Sequence, residues 1–339
     1  MEIIAGPGLG GLPEPDSAEK TVEFAVGQAV HAPSVHNTQP WRFGHGERSI
    51  DVYADSRRRL RVADPDGREM MISCGAAVFT LRVALRYLGW LPRTRPFPDP
   101  ARPALVARVS WEEEQTAPAG YERELFAAVT ARHTHRGGFA AVTLPAGTWA
   151  SLCAEAAREG AMLRLLADHD QREALAAVVR AGEHALRLDA ARAAEQADWV
   201  TPQGSTRRDG VPPAAYPATP AHTEPDFPSR DFARGHAWGQ ADPPAPGERL
   251  AGAVCLLATS ANEPADWLAA GQALQRVLLC AATCGVTAAL HSQPLEVPQL
   301  RDFIRVQLAA RAHPQMIIRL GVTGQATASI RRPVDDVLL

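Results

Sequence analysis

The chain has 339 residues, of which 46% are hydrophobic and 22% are charged, as is typical of a soluble globular protein with a sizeable core. A chain of this length is expected to form two domain-sized units or one large domain. Its formal net charge of −3 creates no field that would attract nucleic acid or an anionic membrane, so we expect neither as a partner.

The cysteines and the N-terminal residues predict a protein of the bacterial cytoplasm. The five cysteines are odd in number and form no CxxC pair, as is typical of reduced thiols, and we expect Cys74 and Cys284 in the core. The first 16 residues lack the basic and apolar regions of a signal peptide, and the longest apolar run, 250–258, is too short to cross a bilayer. Arginine far outnumbers lysine, which fits a GC-rich bacterial genome.

The first part of the chain predicts a flexible tail followed by an α+β unit. Residues 1–15 are rich in Gly and Pro and are expected to form the tail. Asp16 with Glu19 is typical of a helix N-cap and its reciprocal partner, and an apolar stripe continues to Val30 before Pro33 ends the helix. The predicted elements that follow are strands at 50–54, 59–63 and 103–111 and a helix at 74–89. This helix is rich in small residues at its start, so we expect it to pack closely against its neighbours.

The second part faintly repeats this order. Each part contains a small-residue helix that ends in Gly, at 74–89 and 271–285, which suggests a duplicated unit that packs as an internal pseudo-dimer. We therefore divide the chain into a first half, 16–115, and a second half, 116–339, which carries a proline-rich insertion at 200–248. The predicted elements of the second half are helices at 121–132, 144–160, 170–198 and 264–285, strands at 162–167, 251–259, 286–290 and 315–321, and a helix between the last two strands.

Common catalytic motifs are missing from the sequence. GPGLGG, at 6–11, looks like a glycine-rich phosphate loop, but no predicted strand precedes it and no helix follows closely. The patterns GxxxxGK[ST], GxSxG, HExxH and CxxC do not occur. His133 and His135 form an HxH pair without a carboxylate pattern beside it, so we expect no metal site.

A basic stretch, ARHTHRGGF at 131–139, ends one predicted helix. Arg132, Thr134 and Arg136 alternate, so in an extended segment their side chains point to the same side. Two guanidinium groups and a hydroxyl there would suit a phosphate monoester. A solvated basic run that complements the helix dipole is the alternative, and the stretch alone leaves both open.

A polar stretch, HAPSVHNTQPWRFGHG at 31–46, follows the first helix. It holds more hydrogen-bonding side chains than a plain turn would use, among them Ser34 and Asn37. We expect Trp41 to anchor the core and His36 to be a surface or hydrogen-bonded loop histidine, with a proton donor as the alternative.

Three segments together resemble the flavin-dependent nitroreductase family: APSVHNTQPWRF at 32–43, RHTHRGGF at 132–139 and SIRRPVDDV at 329–337. In that family a PSxxNxQPW stretch lies against the ring and ribityl chain of FMN. A second stretch, R-x-S/T-x-R/K, and a C-terminal Arg hold its phosphate. The motifs divide between the halves as in the Acg-like subfamily, in which one duplicated chain forms one flavin site between its own halves. The likeness covers residues 17–337.

The resemblance implies a set of FMN-binding residues. A family segment that covers flavin N5 falls on residues 290–293, where its usual Glu and Gly are absent, so we assign the N5 contact, as a catalytic role, to Ser292; a hydroxyl or an imidazole there would serve. The implied cofactor-binding residues are Pro33, Ser34, Val35, Asn37, Arg132, His133, Thr134, Arg136, Leu290, His291, Ser292 and Arg331.

The resemblance also implies fold and function. The expected fold is α+β and nitroreductase-like, with two fused pseudo-symmetric halves, each an antiparallel-dominated sheet flanked by helices. The expected function is an FMN-dependent oxidoreductase that serves a small organic acceptor, with NAD(P)H as a candidate reductant, and is a monomer with an internal pseudo-dimer or a homodimer. The alternatives are an FMN-sequestering protein whose flavin lies under a lid at 200–248, and a flavin-free binding module. The insertion itself is a lid or a disordered loop.

Overall fold

A computed structural model describes residues 17–216, 222–232, 239, 247–324 and 329–339. The predicted tail at 1–15 and parts of the 200–248 insertion lie outside these residues. The described helices are α1 (Ala18–Ala29), α2 (Arg68–Tyr87), α3 (Gly120–Ala131), α4 (Ala146–Arg158), α5 (His169–Leu188), α6 (Ala190–Asp198), α7 (Pro264–Thr283) and α8 (Pro298–Gln307). The strands are β1 (Trp41–Gly46), β2 (Ser49–Ala54), β3 (Trp90–Pro96), β4 (Leu105–Gln115), β5 (Met162–Leu165), β6 (Ala253–Thr259), β7 (Thr287–His291) and β8 (His313–Gly321).

The strands form two four-stranded sheets in which every neighbouring pair is antiparallel. The first sheet has the order β1-β2-β4-β3 and the second has the order β5-β6-β8-β7. Along β6, Cys255 and Leu257 belong to one buried cluster while Val254 and Leu256 belong to another, so this strand is covered on both faces as its continuous apolar run predicts. The expected α+β fold with two antiparallel halves is confirmed.

Helices α2 and α7 join the two halves through a close crossing of their backbones. A methyl group on Gly75 would overlap the carbonyl oxygen of Leu268 and lie 2.9 Å from Gly271 Cα. A methyl group on Gly271 would overlap Ile72 O in the same way. Glycine is therefore required at both positions by space, and the prediction that the small-residue helix packs closely is confirmed.

Helix α2 also meets the length and composition of a membrane-spanning helix. Of its apolar window, 78% is buried inside the protein, as in a core helix. Trp41 is fully buried beside it, which confirms its packing role, and Cys74 is buried as expected. The prediction for Cys284 was wrong: this residue caps the C-terminus of α7 and is exposed, because it follows the last turn that faces the core.

Several predicted boundaries were wrong, each for a local reason. Ser17, not Asp16, caps α1, since its hydroxyl accepts from the Lys20 N–H at 3.2 Å. Residues 59–63 form turns instead of a strand. The Glu195 carboxylate accepts from the N–H groups of residues 62 and 63 at 3.0 and 2.9 Å and takes the place of a neighbouring strand. The predicted helix at 170–198 is two helices, because Asp189 leaves the helical conformation and caps α6.

The C-terminal residues extend the first sheet. The Phe43 N–H donates to Val337 O at 2.7 Å, and the Leu339 N–H donates to Phe43 O at 2.8 Å. This parallel pairing holds the segment that carries Arg331 beside the 33–39 turn.

Candidate active site

A cavity of about 890 Å³, counted with its open mouth, lies between the first turn of α2, the 33–36 loop and the second sheet. Both halves of the chain contribute to its wall. Sequence-predicted residues in the wall are Pro33, Ser34, Val35, Thr134, Arg136, Leu290, His291 and Ser292. The structure places the other four predicted residues, Asn37, Arg132, His133 and Arg331, outside this wall.

The 34–39 turn that closes one end of the cavity has an unusual backbone. His36, Asn37 and Gln39 have φ values of 47°, 55° and 48°, in the left-handed region that side chains with a Cβ rarely adopt. The Gln39 N–H donates to Ser34 Oγ at 2.9 Å, and the Val35 N–H donates to the hydroxyl of Ser73 on α2 at 3.3 Å. Such a conformation persists only where its surroundings fix it, and these contacts do so.

Asn37 ties this turn to the insertion and to the C-terminal segment. Its Nδ2 donates to Gly210 O at 2.9 Å and to Ile330 O at 3.0 Å, and its Oδ1 accepts from Arg331 Nη1 at 3.0 Å. Gln39 likewise donates to Arg208 O at 2.9 Å. The side-chain amides of Asn37 and Gln39 thus hold the loop in place from outside the cavity wall, while Pro33, Ser34 and Val35 belong to that wall.

His36 differs from its sequence-based interpretation. It is only 7% exposed, its ring meets the Phe232 ring edge-on at 5.2 Å, and neither ring nitrogen has a hydrogen-bond partner. Burial, Arg230 and Arg136 all lower its pKa well below 6.5, so the ring is neutral at pH 7. His36 is therefore a buried member of the cavity wall and not a surface residue.

Three arginines lie together at the cavity: Arg132, which is buried, and Arg136 and Arg331, which are half-buried. Arg132 donates to His31 O at 3.2 Å and Arg331 donates to the same oxygen at 3.3 Å. The Nε atoms of Arg132 and Arg331 have no hydrogen-bond partner.

No carboxylate compensates this charge within the part of the chain that the structure describes. Burial lowers the pKa of Arg132 and of Arg136 to about 10, and burial together with the other two arginines lowers that of Arg331 to about 9. Burial, Arg331 and Arg132 hold the pKa of His31 at about 4. Buried charge is costly without a counter-charge, so this arginine cluster is built for an anion. Its unpartnered Nε–H groups fit the phosphate of FMN.

The segment 290–293 closes the opposite side of the cavity. The Ser292 hydroxyl donates to Glu296 Oε1 at 2.9 Å and accepts from Arg230 Nη2 at 3.2 Å, so its single O–H donor is used within the protein. His291 accepts a hydrogen bond at Nε2 from Arg319 Nε at 2.8 Å, and its Nδ1 has no partner.

Arg319 was missed by sequence reasoning. It is 1% exposed, and its guanidinium lies 5.5 and 5.7 Å from the ring centres of Phe139 and Phe227. Burial lowers its pKa to about 9. The available signal was a single cation inside the apolar strand QMIIRLG, since a charge in a two-faced buried strand is rare without a function.

Glu69, in the first turn of α2, was missed as well. Its Oε1 accepts from Arg68 Nη2 at 2.9 Å, and its Oε2, buried in the cavity wall, has no partner. Burial, the charge of Glu296 and that of Asp64 raise its pKa well above 4.5, against the opposing effect of Arg68. The Glu69 carboxyl is therefore protonated more readily than a solvated glutamate.

The insertion covers one side of this site. Residues Ser229, Arg230 and Phe232 belong to the cavity wall, and Arg136 donates from Nη1 to Ala215 O at 3.0 Å. Arg230 is itself held by a buried ion pair with Glu296. Residues 215 and 229–232 of the insertion are thus packed against the site, whereas residues 202–208 are exposed.

Metal ligation has no candidate among the residues that the structure describes. No group of three or more His, Cys, Asp or Glu side chains is arranged to hold an ion there.

Comparison with known proteins identifies the family to which this chain belongs. No family model matches the chain. Among solved structures, a nitroreductase with FMN from Desulfovibrio desulfuricans is 16% identical, with a TM-score of 0.35, covering 63% of this chain and 95% of that chain. A nitroreductase with bound FMN from Bacteroides fragilis is 10% identical, with a TM-score of 0.37, covering 62% and 93%.

Curated proteins of Mycobacterium tuberculosis (strain H37Rv) match along nearly their whole length. "Putative NAD(P)H nitroreductase acg" is 27% identical over 330 residues, covering 96% of this chain and 97% of that protein. "Putative NAD(P)H nitroreductase Rv3131" is 33% identical over 317 residues, covering 93% of this chain and 88% of that protein. This similarity, together with the α+β fold, shows that the chain belongs to the nitroreductase family and to its Acg-like group.

Proposed function

We propose that this protein is an FMN-dependent oxidoreductase that passes hydride or electrons through its flavin to a small organic acceptor. The observation that carries the proposal is the cluster of Arg132, Arg136 and Arg331, which no carboxylate among the described residues compensates, at a cavity to which both halves contribute. When bound, FMN supplies the redox chemistry, and the protein binds it, orients it and excludes water.

The phosphate is assigned to the arginine cluster. A phosphate monoester carries about −1.5 to −2 charges at pH 7, which would neutralise most of the charge of Arg132, Arg136 and Arg331. Guanidinium groups bind phosphate through paired, charge-assisted hydrogen bonds, and the free Nε–H groups of two of these arginines are donors of that kind. Thr134 and His133, from the same extended segment, complete this end of the site.

The ring and ribityl chain are assigned to the cavity. Its wall combines apolar side chains, such as Ile72 and Leu274, with a few polar groups, as is usual for cofactor pockets. Pro33, Ser34 and Val35 provide one side of this binding site, and Leu290 and His291 provide another. Because all of these residues come from one chain, we infer an internal pseudo-dimer with one flavin, which agrees with a monomer or with a homodimer of such units.

A nicotinamide, NADH or NADPH, is the proposed reductant, since relatives are named as NAD(P)H nitroreductases. A second candidate function is flavin sequestration with little turnover. It is favoured by the insertion, which contributes Ser229, Arg230 and Phe232 to the cavity wall, where they would restrict stacking of a second ring on the flavin.

One experiment separates these functions. The purified protein is reconstituted with FMN, its visible spectrum is recorded, and NADH or NADPH is added under anaerobic conditions. Bound flavin that bleaches within seconds supports the oxidoreductase. Bound flavin that stays yellow with both nicotinamides but bleaches with dithionite supports sequestration, and a protein that retains no FMN overturns both proposals.

A further inference from the structure

We propose that His291 is a fixed hydrogen-bond donor to an acceptor atom of the ring bound in the cavity, and that Arg319 is the positioning residue that sets its tautomer. This inference rests on the proposed function, because it needs a heteroaromatic ligand with acceptor atoms on its edge. It replaces Ser292 as the polar contact to the ring.

The tautomer follows from the chemistry of the two side chains. A guanidinium group has only donors, so Arg319 Nε–H must donate to the lone pair of His291 Nε2, 2.8 Å away. Nε2 therefore carries no hydrogen. A neutral imidazole with an unprotonated Nε2 carries its hydrogen on Nδ1.

Nδ1 is the group that lacks a partner. His291 is 2% exposed and belongs to the cavity wall, yet no acceptor in the described part of the protein lies within hydrogen-bonding distance of Nδ1. A buried donor without an acceptor is costly, and native proteins rarely leave one unless a ligand or water satisfies it. An acceptor atom on the bound ring would satisfy this one.

His291 does not take up a second proton, so the ring keeps its hydrogen on Nδ1 alone. Burial, Arg319 and Arg230 lower its pKa well below 6.5, so the ring stays neutral near pH 7. Among the described residues no carboxylate contributes to this pKa, and Glu296 is paired with Arg230.

Arg319 is held as firmly as the histidine that it orients. Its Nη1 donates to Ala251 O at 3.3 Å and its Nη2 donates to Gly137 O at 3.0 Å. The rings of Phe139 and Phe227 lie beside its guanidinium. With each donor nitrogen engaged, the Nε–H cannot turn away from His291, and the Nδ1 direction is fixed before any ligand arrives.

The test is nitrogen-15 NMR of histidine-labelled protein, with His291 assigned through its substitution. We expect His291 to show a protonated Nδ1 and an unprotonated Nε2 from pH 6 to pH 8, and we expect added FMN to move the Nδ1 resonance. A protonated Nε2, or bound FMN that leaves the Nδ1 resonance in place, overturns this inference without affecting the proposed function. Failure of FMN to bind at all, measured by equilibrium dialysis, overturns both.

Two variants at one position give a matched comparison. His291→Phe keeps a flat ring but removes the donor, and we expect FMN affinity to fall about fivefold, as for the loss of one neutral hydrogen bond. His291→Gln keeps an N–H donor and should recover part of that loss. Equal affinity of His291→Phe and the unmodified protein, with both folded by circular dichroism, would show that Nδ1 makes no contact with the ring.

Discussion

Arg331 and Asn37 are 294 positions apart in the chain, yet Arg331 Nη1 donates to Asn37 Oδ1 at 3.0 Å. The same asparagine donates to the insertion at Gly210 O. One amide therefore joins the first half, the insertion and the C-terminal segment at the edge of the proposed phosphate site. The following predictions test what this arrangement and its neighbours do.

Replacement of Asn37 should separate these three segments. In Asn37→Ala we expect the free energy of unfolding to fall by about 2–3 kcal/mol, because buried hydrogen-bonding groups lose their partners and alanine disfavours a φ of 55°. Asn37→Gly removes the same hydrogen bonds but tolerates this φ, so it should be less destabilising. Urea denaturation of both variants measures the two contributions. If Asn37→Gly is less stable than Asn37→Ala, the cost of a left-handed backbone at residue 37 does not explain the destabilisation.

Removal of the charge at the proposed phosphate site should weaken FMN binding without destabilising the FMN-free protein. In the double variant Arg132→Met and Arg136→Met we expect FMN to bind more weakly by several kcal/mol, at about 1.5–3 kcal/mol for each charge-assisted contact. The FMN-free variant should be at least as stable as the unmodified protein, because two uncompensated cations are gone. Dialysis and thermal unfolding measure the two quantities.

Arg93→Ala is the matched control, since the Arg93 side chain is 75% exposed in a surface pair with Glu112. FMN affinity that is unchanged in the double methionine variant would show that the phosphate lies elsewhere.

Glu69 should make the protein less stable as the pH rises. Its pKa is raised in the folded state, so the folded protein binds this proton more tightly than the unfolded chain. The contribution is fully present below the unfolded pKa of 4.5 and is lost as the pH rises through the folded pKa. As the pH rises above 4.5, the free energy of unfolding of Glu69→Gln should therefore fall less than that of the unmodified protein. Urea denaturation of both proteins across this pH range measures the difference. Parallel stability curves would contradict a raised pKa of Glu69.

The helix crossing should not tolerate an added methyl group. Gly75→Ala or Gly271→Ala should destabilise the protein by about 1–3 kcal/mol or more, because each new Cβ would overlap a backbone carbonyl of the other helix. Gly147→Ala, on α4, meets no atom within 4 Å and should be neutral or slightly stabilising. Calorimetry of the three variants is sufficient, and equal melting temperatures would contradict the close crossing.

Much of the fold could be predicted from the sequence, because its signals are local. The small-residue pattern around Gly75 and Gly271 predicted a close contact, and the apolar run in β6 predicted a strand covered on both faces. The turns at 59–63 could not be predicted from the alternating pattern there. Their N–H groups are satisfied by the distant Glu195, which only the tertiary structure brings near.

The site was predictable as a set of segments but not in its polar detail. The motif residues Pro33 and Arg136 do lie around one cavity, as their joint resemblance implies. The burial of His36 and the contact of Arg319 with His291 depend on neighbours more than 25 positions away in the chain. The Ser292 hydroxyl is engaged both by the nearby Glu296 and by the distant Arg230. Sequence patterns describe which side chains are present, whereas unpartnered atoms appear only when every neighbour is known.

The glycine crossing of α2 and α7 also fixes a dimension of the site. Ile72 and Ser73 on one helix and Leu274 on the other lie within one turn of the crossing, and all three belong to the cavity wall. Their separation is determined by contact between two main chains, which no side-chain rotation can widen or narrow. The contact between the two backbones therefore limits the size of a ligand at this point of the cavity. Acceptors of different size must be accommodated on the side that the insertion covers.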